Sequence, residues 1–168
     1  MPPAKPEIVV QIAQKFAGLD IQPRKIEELV KAVCERFELA EATVSIAIVD
    51  DERFCEVNSR FRKSKTTSDC LSFDLSEGAA GESERLFELV VNGEMAVRQA
   101  LLRNHSSQAE LALYITHGLL HNLGFDDTAE DQAEEMHNTE DEILKQLGYG
   151  LVYNTQIKTE QPGRRTDA

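Results

Sequence analysis

The eleven residues His117-Gly-Leu-Leu-His121-Asn-Leu-Gly124-Phe-Asp126-Asp127 constrain this chain more than any other segment, because they demand a helix, a tight reversal and a returning acid. Positions four apart on a helix lie on one face, one turn above the other, so His117 and His121 can offer imidazole nitrogens to a single ion. Gly124 can take the left-handed conformation that ends a helix and folds the chain back. A residue just past that turn can return to the same ion as a third ligand, and Asp127 stands there. Three protein ligands leave one position open to water, the arrangement of a catalytic rather than a structural zinc site.

The pair alone is equally compatible with satisfied core histidines; the glycine and the acid at the right offsets move the reading to a metal. Asp127 has a competing role. Asp127 to Glu130 and Thr128 to Asp131 both have the spacing of a helix capping box. If Thr128 caps, Asp127 is free to bind; if Asp127 caps, it is not. The spacing favours ligation by Asp127. His137, mid-helix among acids, is a spare ligand, and Asp126 is cast as an acceptor for a ligand imidazole N–H or as a turn residue. Zincin proteases place a glutamate directly after the first histidine as general base; here that residue is Gly118, which disfavours proteolysis by that route.

Around this stretch the chain reads as an α+β domain of roughly four strands in a mixed sheet with about five helices, the metal site at the end of the penultimate helix. Glu7–Ala13 alternates as a first strand, and Pro23 opens a helix to about Leu39 with Ile26, Leu29, Val30, Val33 and Phe37 at helical spacing. Thr43–Val49 is β-branched and alternating; Asp50 can cap the helix that follows, with Phe54 and Val57 inward. Cys70–Leu75 and Leu86–Val91 pair as a hairpin across a polar connection. Asn92-Gly93 leads into a helix from about Glu94 to Arg103, Ser106 or Ser107 caps the next, and a last amphipathic helix spans about Thr128 to Leu147. Residues 1–154 form a single metal-hydrolase domain, and 155–168 a polar tail without stable structure.

Cys34, Cys55 and Cys70 are odd in number, widely spaced and set in apolar patterns, so they read as three reduced core thiols in a reducing compartment. No run approaches the length that spans a bilayer, and Met1–Pro6 lacks a long apolar stretch, which leaves a cytoplasmic address and no membrane partner. The formal net charge of −12 argues against a generic nucleic-acid binder, because neutralising phosphate needs lysine and arginine. The distribution is lopsided, however. Asn58 to Thr67 holds Arg60, Arg62, Lys63 and Lys65 with no acid, while Asp126 to Glu142 holds nine acids and neither Lys nor Arg. One basic loop is thus available for an anion, and the acidic helix reads as a solvated face.

The His117–Asp127 stretch resembles the H-G-x-L-H-x-x-G-Y-D-H signature of YbeY-type endoribonucleases, the bacterial rRNA maturation factors. Asn58-Ser-Arg-Phe-Arg62 is similar to that family's N-x-x-[YF]-R, Ser68-Asp69-Cys70-Leu71-Ser72-Phe73 to its T-D-V-L-S-F strand, and Asn92-Gly93-Glu94 falls where it has L-G-D. The likeness runs over nearly the whole chain. Thr, Val, Asp and Tyr of the pattern are Ser68, Cys70, Glu94 and Phe125, Asp74 replaces the Pro after the strand, and Asp127 replaces the third ligand histidine.

The resemblance implies a metal-dependent, single-strand-specific endoribonuclease with one zinc ion per chain, acting on ribosomal RNA and the small ribosomal subunit, with no DNA partner. It assigns Arg62 to the charge developing on the phosphate, a task that suits a planar guanidinium. Arg60, Lys63 and Lys65 would track the RNA backbone. A carboxylate is a competent zinc ligand, but Asp127 cancels a unit of positive charge, so water at the ion is less acidified and Mn²⁺ competes better. Two other readings stand beside this one: a metal hydrolase of another substrate class, and a non-catalytic ribosome-associated factor that keeps the fold.

Overall fold

The computed structural model describes residues 7–61, 69–77 and 84–150. In chain order the elements are β1 (Glu7–Gln14), α1 (Pro23–Arg36), β2 (Glu41–Val49), α2 (Asp51–Phe61), β3 (Cys70–Asp74), β4 (Arg85–Asn92), α3 (Gly93–Arg103), α4 (Ser107–Asn122) and α5 (Glu130–Gln146). The strands form one mixed sheet in the order β1-β2-β4-β3, with β1, β2 and β4 parallel and β3 antiparallel along the outer edge of β4.

Alternation along the strands gives each face its own core. Val44, Ile46 and Ile48 of β2, Phe87, Leu89 and Val91 of β4 and Cys70 of β3 meet α1, α3, α4 and α5 on one face. The opposite parity, Val49, Leu71, Phe73 and Val90, meets Phe54 and Val57 of α2 on the other. Helices therefore cover both faces. The turn into α2 is capped as its sequence predicts, Asp50 Oδ1 accepting from Arg53 N at 2.8 Å. Asn92 caps α3 by accepting from Met95 N at 2.9 Å and donates to Asp51 Oδ1 at 2.9 Å; Asp51 N in turn donates to Glu94 Oε1. The Asn92-Gly93-Glu94 element thus ties the first turn of α2 to that of α3.

Two helix boundaries and the burial of one cysteine differ from what the sequence predicts. Helix α1 stops at Arg36, because Glu38 takes φ +58° and Leu39 N turns back to Cys34 O at 2.9 Å. Helix α5 begins at Glu130 rather than Thr128, with Ala129 at its N-cap and no side chain capping it. The cysteines are not all in the core. Cys34 and Cys70 are buried, and burial pushes the Cys34 thiol up to about 11 and Cys70 well above its usual range. Cys55 is exposed, because the buried stripe of α2 runs through Phe54 and Asn58, not through it.

Helix α4 is the centre of the molecule. Every residue from Ala109 to Leu120 is buried except His117, so the helix is enclosed on nearly all sides. It lies so close to the sheet that a Cβ on Gly118 would stand 2.6 Å from Cys70 Sγ and 3.0 Å from Leu89 Cδ2. Gly118→Ala is therefore expected to lower stability by about 1–3 kcal/mol through overpacking, despite a gain of up to about 1 kcal/mol in helix propensity. Thermal unfolding checks this, and the loss should shrink in a Cys70→Ala background; an unchanged Tm in the wild-type background would show the helix free to shift.

Candidate metal centre

The C-terminal end of α4 is where the enclosed helix first meets solvent, and its sequence closes it with a paired turn. Gly124, at φ +102°, donates its N–H to His121 O at 3.1 Å, and Phe125 N reaches back to Leu120 O at 2.9 Å. This is the Schellman arrangement that glycine makes possible. It reverses the chain and sets Phe125 edge-on against Phe37, ring centroids 5.7 Å apart. It also aims the Phe125 carbonyl at His121 Nδ1, 3.2 Å away.

That contact fixes a tautomer. A carbonyl only accepts, so His121 carries its proton on Nδ1 and presents the Nε2 lone pair. His117 is held the same way by Glu140, whose Oε2 lies 2.6 Å from His117 Nδ1. The two Nε2 atoms face each other at 3.1 Å, and Asp127 Oδ2 stands 3.6 Å from each. Three potential ligand atoms thus converge on one point. Donors bound tetrahedrally at zinc distances of about 2.0–2.2 Å stand roughly 3.3–3.5 Å apart. The residues present fit a divalent transition metal, with the fourth direction open where the half-exposed His121 and exposed Asp127 face solvent.

Asp127 thus lies with the two histidines predicted from spacing, and neither it nor Thr128 caps α5. Of the two roles its sequence position allowed, Asp126 takes that of the turn residue, not that of the imidazole partner. Its carboxylate accepts from Thr128 N at 3.1 Å and Thr128 Oγ1 at 3.2 Å, closing the turn, and the imidazole N–H groups go to Glu140 and the Phe125 carbonyl instead. His137 is not in the converging trio; its Nδ1 meets Glu140 Oε1 at 2.9 Å, and its ring stacks on His117 with centroids 6.2 Å apart. Arg60 is exposed on the last turn of α2, and Arg62, Lys63 and Lys65 lie outside the described residues.

Glu140 is the residue the sequence reading missed. It is 0% exposed and accepts from both His117 and His137. Burial penalises its charge, but the two imidazoles outweigh that and hold its carboxyl below the usual range. For His117 burial likewise opposes the charged form, yet the hydrogen bond it donates to Glu140 and the charges of Asp69, Glu140 and Asp127 push its pKa up to about 9. Asp69, just before β3, is raised by burial and opposed by the His117 charge. The same convergence of negative groups that draws a proton to His117 draws a cation to the centre.

Sequence comparison adds an independent line. The family model described as Endoribonuclease YbeY matches residues 11–148. Among curated relatives, the Endoribonuclease YbeY of Symbiobacterium thermophilum is 40% identical over 136 residues, covering 73% of this chain and 86% of its own. That of Desulfitobacterium hafniense is 35% identical, covering 71% and 81%, and that of Bacillus thuringiensis 31%, covering 86% and 90%. The solution structure of TM1509 from Thermotoga maritima superimposes with a TM-score of 0.53 at 22% identity, over 94% of this chain and all of that one, a likeness of fold.

Proposed function

The chain belongs to the YbeY endoribonuclease family, and from that premise we propose that it is a metal-dependent hydrolase of RNA phosphodiester bonds, an endoribonuclease of rRNA maturation and ribosome biogenesis. Its substrate is single-stranded ribosomal RNA, met on the small ribosomal subunit in the cytoplasm. Residues 1–154 act as one metal-hydrolase domain. No helix among the described residues is long and apolar enough to cross a membrane.

The observation that carries this reading is the triangle of His117 Nε2, His121 Nε2 and Asp127 Oδ2, with edges of 3.1, 3.6 and 3.6 Å. These three residues would hold one divalent ion, zinc in the first instance and Mn²⁺ as the alternative a carboxylate ligand favours. When bound, the ion supplies Lewis acidity to water and to a phosphoryl oxygen. The protein's part is to fix the donors. Glu140 and the Phe125 carbonyl keep both imidazoles in the tautomer that presents Nε2. Asp127 lowers the net charge of the centre, and the guanidinium of Arg62 supplies the positive charge the phosphate needs. Arg60, Lys63 and Lys65 track the RNA backbone.

The test is metal content by mass spectrometry on untagged protein purified without chelators, followed by a panel of single-stranded RNA, duplex RNA, peptide and simple phosphoester substrates. About one zinc or manganese per chain, with cleavage confined to single-stranded RNA, is the expected result. A folded chain that takes up neither metal would leave the centre without its cofactor and end this reading. Metal uptake with hydrolysis of another substrate would reassign the chemistry.

A further inference from the structure

The last turn of α2 carries a phenylalanine where a solvated residue belongs: Phe61 is 61% exposed. Its ring is held, meeting Phe73 edge-on with centroids 5.5 Å apart and planes at 70°. Leu75, also exposed, extends the apolar surface along the same strand direction. Alternation puts Phe73 and Leu75 on the face of the sheet that α2 covers. An exposed aromatic ring backed by a second ring offers a flat surface at low entropic cost.

Charge says what fits it. In a chain of net charge −12, the basic stretch that begins at Arg60 is the one segment rich in cations and free of acids, and Phe61 lies within it. A ligand that is both polyanionic and rich in flat apolar rings is a nucleic acid with unpaired bases. Position agrees. Cys70 of β3 packs against Gly118, the neighbour of His117, and Phe73 lies three residues further along the same strand, about 10 Å away on the opposite face. Strand β3 is the outer strand of the sheet, and among the described residues none lies beyond it.

We infer that Phe61, backed by Phe73, is a stacking platform for an unpaired base of the RNA, holding a nucleotide near the one whose phosphodiester meets the metal centre. The inference rests on the reading of the centre as an RNA hydrolase. It makes Phe61 a specificity-determining residue, because a base engaged in a duplex has no free face to stack.

Fluorescence anisotropy of a labelled single-stranded RNA with phosphorothioate linkages, titrated with the metal-loaded full-length chain, tests it. Phe61→Leu keeps the apolar bulk and removes the π-face, and is expected to weaken binding about tenfold, the scale of one base–aromatic stack. Phe61→Trp is expected to keep the affinity. Since the chain contains no other tryptophan, emission of that variant should fall on adding single-stranded RNA and stay unchanged with duplex. Leu101→Ala, at an 80% exposed position on α3, is the control and should bind as the wild type does. Wild-type affinity in Phe61→Leu, or an indole that does not respond to saturating RNA, overturns the platform while leaving the nuclease reading intact. So does a change in sedimentation without a change in RNA affinity, which would make this face a contact between copies of the chain. A metal-loaded wild type that binds no RNA overturns both.

Discussion

Replacing Glu140 by leucine should weaken metal binding by about 100-fold and replacing it by glutamine by about tenfold, the range over which partners of ligand histidines act. The asymmetry follows from hydrogen-bond capacity. The Glu140 carboxylate accepts from His117 Nδ1 at 2.6 Å through one oxygen and from His137 Nδ1 at 2.9 Å through the other. Leucine offers neither. The His117 imidazole then loses both the bond that fixes its tautomer and the negative charge that raises its basicity, and its Nε2 no longer has to face that of His121. Glutamine keeps one acceptor, so one imidazole remains held; its amide nitrogen faces the other, which must change tautomer to accept from it. Competition with a chromophoric chelator measures both affinities. Circular dichroism separates the effect from unfolding, which matters because removing one partner of a buried ionic pair costs about 3–5 kcal/mol. Wild-type affinity in the leucine variant would show that packing alone, including the stacked ring of His137, holds His117 in place.

Why Glu140 escapes notice in the sequence, while His117, His121 and Asp127 do not, is a matter of which physical signal each residue emits. The histidines stand out because imidazoles four apart in an apolar helix are conspicuous, and Gly124 announces the reversal that brings Asp127 back. Glu140 sits among the nine acids between Asp126 and Glu142, and a run of like charge ordinarily lies in water. The signal was there in the spacing: Met136, Glu140 and Leu144 are four apart, so Glu140 lies on the buried stripe of α5, and all three are 0% exposed. An acid on an apolar stripe demands a buried partner, and His137 one turn before it, read from the sequence as a spare ligand, is half of the answer. Asp126 left two roles open, partner of an imidazole or turn residue, and in a reversal this short its carboxylate reaches its own backbone two residues on before anything else.

The strands were readable from alternation and β-branching, and the hairpin of β3 and β4 from their proximity in the chain. The order β1-β2-β4-β3 was not, because parallel pairing of β2 with β4 is settled by contacts across some forty residues of sequence rather than by any local pattern. The start of α5 was misplaced for a related reason. Thr128 has the composition of a cap, but its N–H and hydroxyl are taken by Asp126, so the helix begins two residues later behind Ala129 without a side-chain cap.

Metal affinity should rise about tenfold per pH unit from pH 7 to about pH 9 and then level off, a change of about two orders of magnitude. The cause is competition at one atom. In the metal-free chain the pKa of His117, despite burial, is pushed up to about 9, chiefly by its hydrogen bond to Glu140, so a proton occupies His117 through the neutral range and must leave before Nε2 can bind a cation. Folding stability of the metal-free protein moves the other way. A histidine whose pKa is raised above its unfolded value stabilises fully below about 6.5, and that contribution is lost as pH climbs through about 9. Glu140, held low, contributes throughout this window and adds no slope. The Tm of the metal-free chain is therefore expected to fall by roughly 5–10 °C between pH 6.5 and 9.5. With saturating zinc the fall should be much smaller, because the ion replaces the proton as partner of the same three donors and its affinity grows as the proton's weakens. Calorimetric titration of zinc in buffers of different ionisation enthalpy counts the proton directly: about one released per ion bound at pH 7, and none above pH 10. Zinc binding at pH 7 with no proton release would mean that His117 is already neutral there, and that Glu140 orients the ring without raising its basicity.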